Sequence, residues 1–132
     1  LPGVPIRIVM TPDGRTALIT CAGAGEIVAF DVGTRVERRR ARVAVPLAPG
    51  AQDRPFARLA PGGVLPVGLL VSRDGRSAYV AATMGDRVAQ FDTGTLDILR
   101  ALDVGGEPDG LASTPVIPRA VCHGCTPLEN RR

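Results

Sequence analysis

Pro5-Ile6-Arg7-Ile8-Val9-Met10-Thr11-Pro12-Asp13-Gly14-Arg15-Thr16-Ala17-Leu18-Ile19-Thr20 returns further along the chain as Pro66-Val67-Gly68-Leu69-Leu70-Val71-Ser72-Arg73-Asp74-Gly75-Arg76-Ser77-Ala78-Tyr79-Val80-Ala81. The offset is 61 at every position (66 − 5, 74 − 13), and it carries without a gap from Ile27-Val28-Ala29-Phe30-Asp31-Val32-Gly33-Thr34 to Val88-Ala89-Gln90-Phe91-Asp92-Thr93-Gly94-Thr95. A third copy opens at Pro108-Asp109-Gly110-Leu111-Ala112-Ser113-Thr114-Pro115, 42 residues after Pro66 (108 − 66). The basic period is therefore 42, and the first interval carries 19 extra residues (61 − 42) within a Pro- and Gly-rich stretch.

Each copy reads as short strands separated by turns. Ile6 to Met10 and Val67 to Val71 are apolar first strands, and Asp13-Gly14 and Asp74-Gly75 follow them. Asp-Gly between apolar runs is a hairpin signal, because Gly accepts positive φ and Asp tolerates it. Second strands are expected at Ala17 to Cys21 and Ala78 to Ala82, and third strands at Ile27 to Phe30 and Val88 to Phe91. Fourth strands are expected over Val36 to Val45 and Asp97 to Val104. No segment holds a helical period. Four strands per period of about 42 residues is the build of a propeller blade. The expected fold is all-β: a partial β-propeller of about two four-stranded antiparallel blades plus the start of a third. Blade 1 spans about 4–45, an insertion 46–63, blade 2 about 64–105 and the start of a third blade 106–115, with an irregular tail at 116–132.

The pattern resembles the YVTN repeat family, whose blades run Pro-x-Gly-(apolar)-Ser-Pro-Asp-Gly, a Tyr-Val-Thr-Asn strand and an (apolar)-Asp-Thr turn. Pro66, Gly68, Ser72, Asp74-Gly75, Tyr79-Val80 and Asp92-Thr93 stand at those positions. The first copy departs with Arg7 for the Gly and Leu18-Ile19-Thr20-Cys21 for the tetrapeptide, and the second has Arg73 for the second Pro. The resemblance implies a seven-bladed propeller in a full-length protein, commonly exported in bacteria, and therefore a periplasmic or extracellular location. It implies a non-catalytic binding scaffold, or alternatively part of a propeller enzyme, a lactonase-like hydrolase or a quinoprotein dehydrogenase subunit. One fold hosting many functions is the general situation.

Composition narrows the classes. Apolar residues make up 45% of the 132, ample for a core, while aromatics are 3% with no Trp. All 16 basic residues are Arg, and the net charge is +3. A nucleic-acid surface would interleave basic groups with stacking aromatics, and that pattern is missing, so no nucleic-acid partner is expected. No apolar run approaches the ~20 residues of a membrane span, and no signal peptide is visible. The chain opens at Leu1 without an initiator Met, as a processed or cut protein would. Two blades leave open strand edges, so the chain is expected to be a fragment or to self-associate through those edges. The third copy favours a fragment, since Val116-Ile117-Pro118-Arg119-Ala120 replaces its Asp-Gly turn.

Among candidate sites, Asp13, Asp31, Asp74 and Asp92 recur with the repeat, which points to carboxylates bonding turn N–H groups. Arg35, Arg38, Arg39, Arg40 and Arg42 crowd the fourth strand of the first copy, where charge blocks edge pairing. Cys122-His123-Gly124-Cys125 holds the sharpest metal-type spacing, with Cys122, His123 and Cys125 as weak ligand candidates. A closed zinc site needs four ligands, and no second pair exists. His123 is the only His, so no Ser-His-Asp or Cys-His pair sits on the repeat. No catalytic residue and no cofactor is expected. In propellers the inter-blade connection and the loop between the second and third strands share the face where ligands sit. Asp53, Arg54 and Arg58 of the insertion and Asp86 of that loop are accordingly the ligand-face candidates, for an unknown small molecule or protein.

Overall fold

The computed structural model describes residues 3–115. Two four-stranded antiparallel sheets form in strict sequence order. The first contains β1 (Pro5–Met10), β2 (Thr16–Cys21), β3 (Glu26–Asp31) and β4 (Val36–Arg42). The second contains β5 (Pro66–Val71), β6 (Ser77–Ala82), β7 (Arg87–Asp92) and β8 (Ile98–Asp103). All eight strands fall where the repeat places them, and the fourth strands are shorter than expected. After Arg42 the chain keeps one bond to the sheet, from Val43 N–H to the Gly25 carbonyl (2.9 Å), and then departs toward the insertion. Val104 N–H repeats that bond to the Asp86 carbonyl at 3.0 Å.

The turns repeat atom for atom. Thr11 Oγ1 donates to Asp13 Oδ1 (2.6 Å), which also accepts from Arg15 N–H (3.0 Å). Ser72 Oγ donates to Asp74 Oδ1 (2.6 Å), which accepts from Arg76 N–H (3.0 Å). Asp31 and Asp92 accept the N–H groups of Thr34 and Thr95, both at 2.8 Å. The hydroxyl bonds hold the carboxyls of Asp13 and Asp74 below the usual range, and the backbone N–H bonds do the same for Asp31 and Asp92. These four carboxylates are turn-building groups.

Alternation along the strands gives each sheet two faces, and the core lies between the sheets. Leu18, Ile27 and Ala29 of the first sheet meet Leu69, Ala78, Val80, Ala89 and Phe91 of the second, with Val43 and Leu96 closing the end. Thr20 Oγ1 donates across the seam to the Val67 carbonyl (3.2 Å) and accepts from Arg7 N–H (3.3 Å). The residue before each repeat Pro carries positive φ: Val4 at 56°, Leu65 at 50° and Glu107 at 53°. Side-chain-bearing residues avoid that region. The Val4 carbonyl thereby accepts from Ala22 N–H (2.9 Å), and the Leu65 carbonyl from Thr83 N–H (3.2 Å).

Residues 106–115 follow the second blade at the place where the start of a third is expected. The segment docks on the second sheet. Thr83 Oγ1 donates to the Pro108 carbonyl (2.8 Å), and the Asp109 carbonyl lies so close to Gly68 that any Cβ there would collide with it.

Candidate ligand face at the insertion

The insertion follows from its own chemistry. Gly50, at φ 71°, turns the chain into a 3-10 turn at Ala51–Asp53. Pro55, whose fixed φ suits a helix start, opens a second at Pro55–Leu59. Ala48, Ala51 and Ala60 form a small apolar underside that packs on Ala22, Leu65 and Met84. Ala48 N–H donates to the Met84 carbonyl (2.9 Å). The insertion thus lies over the β6–β7 loop. A Cβ on Gly85 would stand 2.9 Å from the Pro46 carbonyl oxygen, so only Gly admits so close a crossing.

Of the four ligand-face candidates, the structure brings Arg54 and Asp86 together. Arg54 Nη1 and Nη2 donate to Asp86 Oδ1 and Oδ2 at 2.6 and 2.7 Å. This parallel fork is the strongest hydrogen-bonded pairing of the two groups. Glu107 N–H adds a third donor to Asp86 Oδ1 at 3.0 Å. Arg54, and secondarily that N–H, hold the Asp86 carboxyl down at about 2. Asp53 and Arg58 form no salt bridge among the described residues. With Gln52, Arg54 and Pro55 they line a shallow depression of about 530 Å³, in which Gln52 Nε2 donates to Asp53 Oδ2 at 3.3 Å.

Sequence reasoning missed Glu107, Phe56 and Leu59. Glu107 was hidden because its contribution is a backbone N–H. Phe56 and Leu59 are 47% and 55% exposed, and their lack of any counterpart in the repeat was the one available signal. Cys122, His123 and Cys125 lie outside the described residues. Among the described residues no group of three or more His, Cys, Asp or Glu is arranged to hold a metal, and no helix is long and apolar enough to cross a membrane. Cys21 is buried, and burial pushes its thiol up, away from the reactive thiolate.

Solved structures with this arrangement decide the architecture. Kuenenia stuttgartiensis hydrazine synthase superposes with a TM-score of 0.65 at 25% identity, over 83% of this chain and 26% of that one. The β-propeller domain of Cps50 (Swd1) from Myceliophteria thermophila gives 0.62 at 17% identity, over 83% and 29%. The fold is that of β-propeller blades. Apo AztD from Citrobacter koseri gives 0.61 at 17% identity, over 83% and 26%. The chain therefore spans roughly a quarter of the length of the propeller proteins it matches. No family model and no curated protein matches the sequence.

Proposed function

We propose that this chain is a section of a YVTN-type propeller acting as a non-catalytic binding scaffold, exported to the periplasm or cell exterior. Its binding face is the insertion with the β6–β7 loop and the 106–109 segment. The observation that carries this reading is the Arg54–Asp86 fork. The longest departure from the repeat is locked onto one face of the blades, and long ordered loops on a regular scaffold are the usual carriers of binding. The similarity to AztD and to Cps50 supports the scaffold fold alone. The alternative is part of a propeller enzyme, lactonase-like or quinoprotein-like; the 25% identity to a protein named as a synthase favours it.

The test is an NMR titration of the 132-residue chain with neutral, cationic and anionic aromatic probes. It is repeated with residues 47–62 replaced by a short Gly-Ser link. Shifts clustered at the insertion, the β6–β7 loop and residues 106–109, and lost in the deletion, are expected. Shifts that survive the deletion or scatter over both sheets overturn the reading. Turnover of a lactone, or dye-linked oxidation of an alcohol, turns it to the enzyme alternative. Light scattering sets the assembly: three or four copies supply six or eight blades, while a polydisperse sample places the function in a longer chain.

A further inference from the structure

Beside the Arg54–Asp86 fork lies a cavity of about 330 Å³. Its floor is Ile6, Leu65 and Val67, at or beside the inner strands of the two sheets, and its wall is Phe56 and Leu59 of the insertion. Glu107 and Asp109 stand at its edge. The size and the apolar lining with a few polar groups are those of small-molecule pockets. Phe56 and Leu59 stay exposed here although the insertion has an apolar underside in which to bury side chains.

The two carboxylates are placed by backbone contacts rather than by ion pairs. Glu107 N–H is fixed on Asp86, Pro108 is held by Thr83 Oγ1, and the Asp109 carbonyl is seated against Gly68. Among the described residues neither side chain enters a salt bridge. Both terminal nitrogens of Arg54 are already committed to Asp86. Arg58 opens instead on the neighbouring depression. The cavity thus combines an apolar bed, an exposed aromatic ring and two acidic residues that enter no salt bridge among the described residues.

We infer that this cavity binds a small organic cation, an ammonium group carried on an apolar or aromatic body. The body lies on Ile6, Val67 and Leu59, and the ammonium is taken by Glu107 and Asp109 with the Phe56 ring as a further cation-attracting face. This rests on the binding-face reading above and adds the ligand's charge and shape.

The experiment titrates the 132-residue chain with phenethylammonium, 2-phenylethanol and phenylacetate, which share a ring and differ in charge. Phenethylammonium is expected to bind about tenfold more tightly than the alcohol, with shifts at Phe56, Leu59, Val67 and Asp109, and to weaken as salt is raised. The double variant Glu107→Gln, Asp109→Asn changes only exposed side chains and is expected to abolish the preference while leaving the alcohol's affinity. Phe56→Ala is expected to weaken both. Tighter or equal binding of the alcohol or phenylacetate, or a preference that survives the double variant, overturns the inference and leaves the binding-face reading standing. If no probe shifts any residue of this face, both fall.

Discussion

Asp86 occupies, one repeat on, the left-handed backbone position that Gly25 holds in the first blade, with φ of 52° against 68°. Gly takes that conformation freely, whereas a side chain there is disfavoured, less so for Asp than for most. The carboxylate gained in exchange receives Arg54 and Glu107 N–H. Asp86→Gly is therefore expected to change the global melting temperature little, because relief at the backbone offsets the lost fork. The same variant frees the insertion locally, so hydrogen exchange at Ala51, Asp53 and Arg54 N–H, all bonded to carbonyls within the insertion, is expected to accelerate. Unchanged exchange at those amides would show that alanine packing alone holds the insertion.

The fork also sets an acid limit. The Asp86 carboxyl is depressed from 3.8 to about 2 in the folded chain. A depressed carboxyl contributes stability that is fully present above its unfolded value and is lost as pH falls through the folded one. Insertion protection is expected to hold down to about pH 4 and to fall between about pH 4 and 2. In Asp86→Asn that acid step disappears. Amide exchange read at several pH values in that window checks both statements.

Gly68 occupies the repeat position of Arg7, and the backbone of Asp109 packs directly against it. Gly68→Ala would drive a Cβ into the Asp109 carbonyl and to 3.0 Å from the Ala81 Cβ. The expected result is displacement of residues 106–115, with an overpacking cost of about 1–3 kcal/mol. Faster exchange of Glu107 N–H, which bonds Asp86, reports the displacement.

Ile8 and Leu69 are repeat equivalents with opposite surroundings: Ile8 is 64% exposed and Leu69 6%. Leu69→Ala is expected to cost about 2–5 kcal/mol and Phe91→Ala, at 0% exposure, about 3–5 kcal/mol. Ile8→Ala is expected to stay within about 0.5 kcal/mol in the 132-residue chain. In a longer propeller that covers this face, Ile8→Ala should approach the Leu69 value. Chemical denaturation of the three variants measures the contrast.

Much of the fold was legible because it is periodic and local. Asp-Gly turns and apolar alternation act within one hairpin, and the 61-residue offset placed all eight strands to within a few residues. Pro108 marks a third repeat position, and the segment it opens packs on the second blade. Asp86 could be selected as a loop residue, while its pairing with Arg54, 32 positions away, lay outside any local rule.

The sequence by itself determined the strand order, the turn chemistry and the two-blade period, because each depends on residues a few positions apart. The tertiary structure alone decided which of two equivalent faces is buried, that Glu107 meets Asp86 through its backbone, and that Phe56 and Leu59 remain open beside two carboxylates. Those outcomes depend on which surfaces meet after the chain has turned back on itself, and alternation specifies that a face is apolar without specifying what covers it.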